Sequence, residues 1–459
     1  MQAWAAQEVQ SAALGDPRRT RRFIRLLEAL AAQPQASVPR ACGSWAATKA
    51  AYRFWDNPHI SAAAIRAAHS DATRQRLPAH EPLLILQDTT EFDWSHHPAT
   101  SGLGPLSAST HHGFHVHSCL AVTTEGVPLG ILDQYVWARD PAQKGIRHTR
   151  RKRPTALKES QRWIDALDAT VARVPEQSPI IVVADREADI FDLFAHERRS
   201  GVDLLIRACY NRKVRHPQNY LWQAVEAAPI QGERKLSVGR TPLREPREVT
   251  LRLRWLAVEL LPPRNQVQRT HRDPVPVVAV FVDEVDPPQE SDPIKWLLVS
   301  SYPVSDNETA WQLVDWYRRR WLIERYHYVL KSGCKLEELQ LHSGAQLERA
   351  LATYSIVAWR LLWLTYEARV HPDQPCTIAL ESDEWQALLV SRSKHACVPT
   401  TPPTLREAVR FIAQLGGFLA RKGDGEPGVK TIWQGLQRLQ DLAFMWRAAR
   451  SSDTPPTCG

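Results

Sequence analysis

No stretch of this 459-residue chain approaches the roughly 20 consecutive apolar residues that a bilayer-spanning helix needs, which argues against a membrane-embedded function. The opening MQAWAAQEVQ lacks the basic and then apolar layout of a secretory signal, so a cytoplasmic protein is expected. Cysteine is sparse. Cys42, Cys119, Cys209, Cys334, Cys376, Cys397 and Cys458 form no C-x-x-C pair, so they read as reduced thiols rather than a disulfide framework or a cysteine zinc site. No internal repeat or long low-complexity tract stands out. Acid is in deficit: 58 Lys+Arg against 50 Asp+Glu give a net charge of +8 and a pI of about 9.2. That balance favours a polyanionic partner through phosphate neutralisation, without naming one. A hydrophobic content of 43% with mean hydropathy of -0.37 marks a globular chain, long enough for two or three units.

The most informative stretch is WYRRRWLIERYHYVLK, from Trp316 to Lys331. Its apolar residues and lack of Pro or Gly predict a helix, with Asp306 or Asn307 as the N-cap. Tyr317, Arg320, Glu324 and Lys331 are spaced by three, four and seven residues, so at helical periodicity they share one face. A phenol, a guanidinium, a carboxylate and an ammonium pointing one way suit a phosphodiester. A solvated face laced with i,i+4 ion pairs would account for this helix taken alone. Two apolar runs change the balance. Leu83–Leu86 leads into Gln87 and Asp88, and Ile180–Ala184 leads into Asp185. Each reads as a buried strand with an acid at its carboxyl end, where open α/β sheets place ligand sites. Either Asp could instead cap a following helix. The run after Asp185, Arg186 to Phe194, reads as the start of a helix. Three acids on separate elements can converge on two divalent cations about 4 Å apart, and hard oxygen ligands match Mg²⁺.

Asp88 in LILQDTT, Asp185 in VVADREADI and Glu324 in the Tyr-Arg-Glu-Lys pattern resemble the acidic triad and signature helix of the bacterial DDE cut-and-paste transposases of the insertion-sequence-four type, the family of the Tn-five transposase. SAALGDPRRT, AYRFWDNPHISAAAIR, WLLVSSYPV and AQLGGF extend the resemblance, in order, over nearly the whole chain. It implies an α/β fold: an RNase H-like catalytic core with an inserted antiparallel β subdomain, an N-terminal helical DNA-binding domain and a C-terminal helical domain. The implied activity is metal-dependent excision by 3′-end nicking, hairpin formation and resolution, followed by strand transfer. Asp88, Asp185 and Glu324 would hold two Mg²⁺ ions, with Mn²⁺ as a substitute, while Tyr317, Arg320 and Lys331 position phosphates. Trp296, a core-packing residue on any plain reading, matches the indole that the family stacks on a flipped base. The implied partners are double-stranded transposon ends, target DNA and a second copy of the chain in a synaptic complex, with the protein nucleoid-associated when bound. A structure-specific nuclease without strand transfer and a non-catalytic DNA-binding derivative are the rival readings.

The expected units are 1–62, a helical end-binding domain; 63–369, the catalytic domain with a β insertion at about 209–293; and 370–459, a helical dimerisation domain. Asp16-Pro17 starts a helix with Phe23, Leu26, Leu27 and Leu30 at apolar spacing. Arg18, Arg19, Arg21 and Arg22 crowd it, suited to DNA phosphates or to an ordinary basic bundle. Further helices are expected from Ser44 to Asp56 and after Ser61. Arg150, Arg151 and Lys152 lie in the basic loop RHTRRKR, and with Arg207 they are candidate backbone contacts. The His111, His112, His115 and His117 cluster could be read as zinc ligands, but Gly113 and HVHSCLAV favour a strand. The stretch LERALATYSIVAWRLLWLTYEAR reads as a core helix because charges interrupt it. Ile432, Leu436, Leu439 and Trp446 form a C-terminal apolar face that closes a small bundle or meets a second copy.

Overall fold

The computed structural model describes residues 3–108, 110–143, 154–238, 247–263, 273–288, 293–392 and 400–451. The N-terminal helices are α1 (Ala3–Glu8), α2 (Pro17–Ala32), α3 (Val38–Cys42), α4 (Trp45–Asp56) and α5 (Ala62–Gln75). Their ends follow capping chemistry. Asp16 accepts from the backbone N–H of Arg18, Ser44 from that of Ala47, and Ser61 from that of Ala64, each satisfying an amide that the first turn leaves open. In α2 the predicted apolar stripe is buried, with Phe23, Leu27 and Leu30 fully inaccessible. Arg18, Arg21 and Arg25 face outward.

The sheet begins with β1 (Leu83–Asp93), β2 (Gly104–Pro105), β3 (His112–Thr123) and β4 (Pro128–Trp137). After α6 (Arg162–Val171) come β5 (Ile180–Ala184), α7 (Phe191–Ala195) and β6 (Val202–Arg207). β4 and β1 flank β3 antiparallel, whereas β1, β5 and β6 run parallel. The order β4-β3-β1-β5-β6 is the RNase H-like core. Near-continuous burial of Leu83–Gln87 and Ile180–Ala184 follows from coverage of both sheet faces.

The inserted segment carries β7 (Val214–Arg215), α8 (Leu221–Ala227), β8 (Gly232–Val238), β9 (Arg247–Leu260) and β10 (Val275–Glu284), and the chain returns through β11 (Lys295–Ser300). These strands are antiparallel, as the alternation predicts. They do not stand apart from the core. β11 pairs with β6 on one side and β10 on the other, so the insertion prolongs the central sheet. Val280, Val282, Leu298 and Val299 are inaccessible, a burial that needs a strand on each flank to satisfy the backbone.

The predicted signature helix is three pieces: α9 (Asn307–Arg319), α10 (Trp321–Tyr328) and a π-helical turn over Val329–Gly333. At the first break the Arg320 amide bonds to the Tyr317 carbonyl, and at the second the Cys334 amide reaches back to Val329. Likewise, the helix expected from Arg186 to Phe194 is a 3₁₀ turn (Arg186–Ala188) followed by α7. The interruption falls at Asp189, whose carboxylate accepts from the amides of Cys209 and Tyr210 and from Arg212.

Behind the sheet runs α11 (Gly344–Val370), opened by a Ser343/Gln346 capping box and buried along most of its length. It is core, as its interrupting charges predict. No helix among the described residues is long and apolar enough to cross a membrane. α12 (Ser382–Val390), α13 (Leu405–Leu415) and α14 (Val429–Ser451) close a separate small core. Ile432 and Leu439 are inaccessible inside it, so most of the C-terminal apolar face closes the bundle, while Phe444 and Met445 remain 65% and 64% exposed.

Candidate active site

β5 ends its parallel pairing with β1 at Ala184 opposite Gln87. The next residues on the two strands are Asp185 and Asp88, released together where the shorter strand stops. The expectation that Asp88 ends its strand needs correction: β1 continues to Asp93, paired with β3 alone. What ends at this point is the parallel partner, and that opens the flank of Asp88. α10 crosses this notch and delivers Glu324.

Asp185 and Glu324 both sense the charge of Asp88. Burial pushes the Asp185 carboxyl up from its ordinary value, with the negative charge of Asp88 adding to the rise. Glu324 is also raised, first by burial, then by Asp88 and Asp185, although Arg320 opposes the change. Arg320 makes an i,i+4 ion pair with Glu324. Burial disfavours its charge, but Tyr317, Glu324 and Asp88 together hold the guanidinium protonated more firmly than usual. Burial raises the Tyr317 phenol, whose ring stands 4% exposed. Trp296 meets that ring edge-on at a centroid separation of 5.5 Å, and Arg207 shares a hydrogen bond with the same phenol. Asp88, Asp185, Glu324, Tyr317, Arg320, Arg207 and Trp296 therefore belong to one neighbourhood.

Other expected contacts fall elsewhere. Lys331 lies inside the π turn, and its ammonium is 5.3 Å from the Phe92 ring centroid. Arg18, Arg19, Arg21 and Arg22 belong to α2 in the N-terminal helices, and the Arg19 guanidinium bonds the Leu14 carbonyl. Arg150, Arg151 and Lys152 lie outside the described residues. The histidines take separate partners along their strand: His111 meets Asp93, His115 meets Glu91, and His117 meets Thr89.

Several residues around the acids were not singled out by sequence reasoning. His327 is buried, with Nδ1 3.6 Å from the Asp88 carboxylate and Nε2 3.4 Å from Ser118 Oγ. Its position three residues after Glu324 puts both on one helical face, a readable signal. Thr89, next to Asp88, bonds Arg162, and Arg162 bonds Glu187. That pairing spans distant segments and leaves no local pattern.

Among the described residues, no three His, Cys, Asp or Glu side chains close around a single point as a ready-made metal cage. The donor chemistry nevertheless fits a hard divalent cation. Three carboxylate oxygen donors stand close enough for Asp88 to raise the proton affinity of both Asp185 and Glu324, a surplus of negative charge that such a cation would neutralise. The chain matches the family model "Transposase DNA-binding" over residues 1–60, "Transposase DDE domain" over 150–360 and "Transposase Tn5 dimerisation domain" over 356–455. Asp185 and Glu324 fall inside the DDE match, and Asp88 precedes it. With a mixed sheet carrying paired acids between matching DNA-binding and dimerisation segments, the chain belongs to the Tn5-like DDE transposases, enzymes that act on DNA.

Proposed function

We propose that this transposase excises its element by nicking at the 3′ end, forming and reopening a hairpin, and joining the freed end to target DNA. The observation carrying this reading is that Asp185 and Glu324 meet beside Asp88 where β5 stops pairing with β1, both raised by burial and by the charge of Asp88. These three carboxylates would hold the divalent metal that the DDE family uses, with two Mg²⁺ ions as the proposed complement and Mn²⁺ as a substitute. When bound, the metal would supply charge neutralisation at phosphorus and activation of the attacking oxygen. The chain's own residues would do the positioning. Arg320, already among the acids, can exchange its Glu324 contact for a non-bridging phosphate oxygen as negative charge builds. Tyr317 is held by burial, by Arg207 and by Trp296, so its hydroxyl meets a phosphate without losing further freedom. Lys331 can reach a phosphate by leaving the Phe92 ring, a contact worth little at a partly exposed site.

We divide the chain into end-binding (1–62), catalytic (63–369) and dimerising (370–459) units. The outward arginines of α2 supply the backbone contacts of the first unit, and exposed Phe444 and Met445 supply apolar surface for a second copy. The compartment is the cytoplasm, with the protein on the nucleoid when bound.

Asp88→Ala, Asp185→Ala and Glu324→Ala, assayed on a labelled transposon end, should each lose cutting while retaining a gel-shift complex. Full cutting by any one of them would refute its assignment. Wild-type protein given a nicked end and a target plasmid should yield joined products; cleavage without joining would favour a nuclease. Trp296→Ala should spare the first nick and reduce hairpin yield, and an unchanged yield would return Trp296 to core packing.

A further inference from the structure

Arg162 opens α6 with its side chain 11% exposed. Its Nη2 donates to Glu187 Oε2 at 2.7 Å, its Nε to Thr89 Oγ1 at 2.9 Å, and its Nη1 to the Glu159 carbonyl at 2.8 Å. The guanidinium carbon lies 5.4 Å from the Trp163 ring centroid and 5.7 Å from that of Trp137. Both ends of this span lead to the acids. Thr89 follows Asp88 in β1, and the Glu187 amide donates to Asp185 Oδ1 at 2.9 Å. Thr89 Oγ1, which accepts from Arg162, also shares a hydrogen bond with His117 Nδ1, 2.9 Å away. Complete burial pushes the proton affinity of His117 well down, which keeps that imidazole neutral.

We infer that Arg162 is a positioning residue, a rigid strut that fixes the separation of Asp88 and Asp185 beyond the point where β1 and β5 cease to pair. The inference rests on the reading of those two acids as metal-holding groups. No backbone ladder joins the strands past Gln87 and Ala184. The planar guanidinium replaces it with a bridge of fixed length, which a lysine cannot reproduce. Its flanking indoles limit rotation.

The test uses full-length protein on a labelled transposon end. Arg162→Ala and Thr89→Val should each slow the first nick about 30- to 100-fold, the cost of misplacing a reacting group by about 1 Å. Thr89→Ser, which keeps the hydroxyl, should stay within about threefold of wild type, and the double variant Arg162→Ala/Thr89→Val should be no slower than the worse single, since both break one bridge. End affinity and its salt dependence should be unchanged. Mn²⁺ binding to the protein–end complex, followed by loss of the free-ion paramagnetic signal, should weaken in both single variants. Multiplicative slowing in the double variant would overturn the strut. A salt slope shallower by about one in Arg162→Ala would make Arg162 a phosphate ligand instead. Loss of end binding together with a collapsed thermal midpoint in Thr89→Val would reduce the bridge to general packing. Undiminished nicking by Asp88→Asn is a separate failure: it would remove the underlying reading before any Arg162 variant is scored.

Discussion

Glu8 and Glu324 are both carboxylates drawn out of water beside an arginine, yet their environments push them in opposite directions. Glu8, 3% exposed, meets His69 Nδ1 at 2.5 Å and Arg76 through Nη1 at 2.7 Å and Nη2 at 3.1 Å. Burial works against its charge, but His69 and Arg76 together win and bring its pKa from 4.5 down to about 2. Glu324 has Arg320, yet it also faces Asp88 and Asp185, and its pKa rises. In the first cluster the protein supplies all the compensation a buried anion needs, tying α1 to α5. In the second it leaves negative charge in excess, as expected of a site completed by something that binds.

Breaking the second cluster should give the largest effect. Asp185→Asn keeps the acceptor for the Glu187 amide but loses the charge, so single-turnover cutting should fall by about 10³-fold or more. Denaturant unfolding should report stability within about 1 kcal/mol of wild type, shifted upward if at all, because a like charge is removed. A loss of several kcal/mol would mean that Asp185 is as fully compensated as Glu8.

Glu8→Gln should do the reverse. Charge removal there should cost about 3 kcal/mol at neutral pH while leaving cutting by the folded fraction intact. The sign of the pH dependence follows from the depressed value. Because Glu8 titrates lower in the folded state than its ordinary 4.5, its stabilisation is fully present above about pH 4.5 and disappears as pH falls toward 2. Chemical denaturation across that window should be flatter for Glu8→Gln than for wild type. Equal slopes would remove Glu8 from its role.

Much of this contrast was legible in sequence on only one side. The acids of the active site sit at ends of apolar runs or on a periodic helix, so Asp88, Asp185 and Glu324 are legible in the sequence. The RNase H-like order and the helices capped by Asp16, Ser44 and Ser61 were legible for the same local reason. The π turn is not: nothing in VLKSG announces an i→i+5 bond. Nor is the true limit of β1, which is set by its pairing with β3 out to Asp93, beyond the point where β5 stops. Glu8 with His69, and Arg162 with Thr89 and Glu187, are pairings between remote segments. One sequence carries no periodic trace of them.

The most direct test of the central claim is anomalous diffraction from Mn²⁺ in crystals of the protein bound to its end DNA. The account predicts density among the carboxylates of Asp88, Asp185 and Glu324, with none beside Glu8. Mn²⁺ bound away from those three acids, with the site otherwise engaged on DNA, would contradict it.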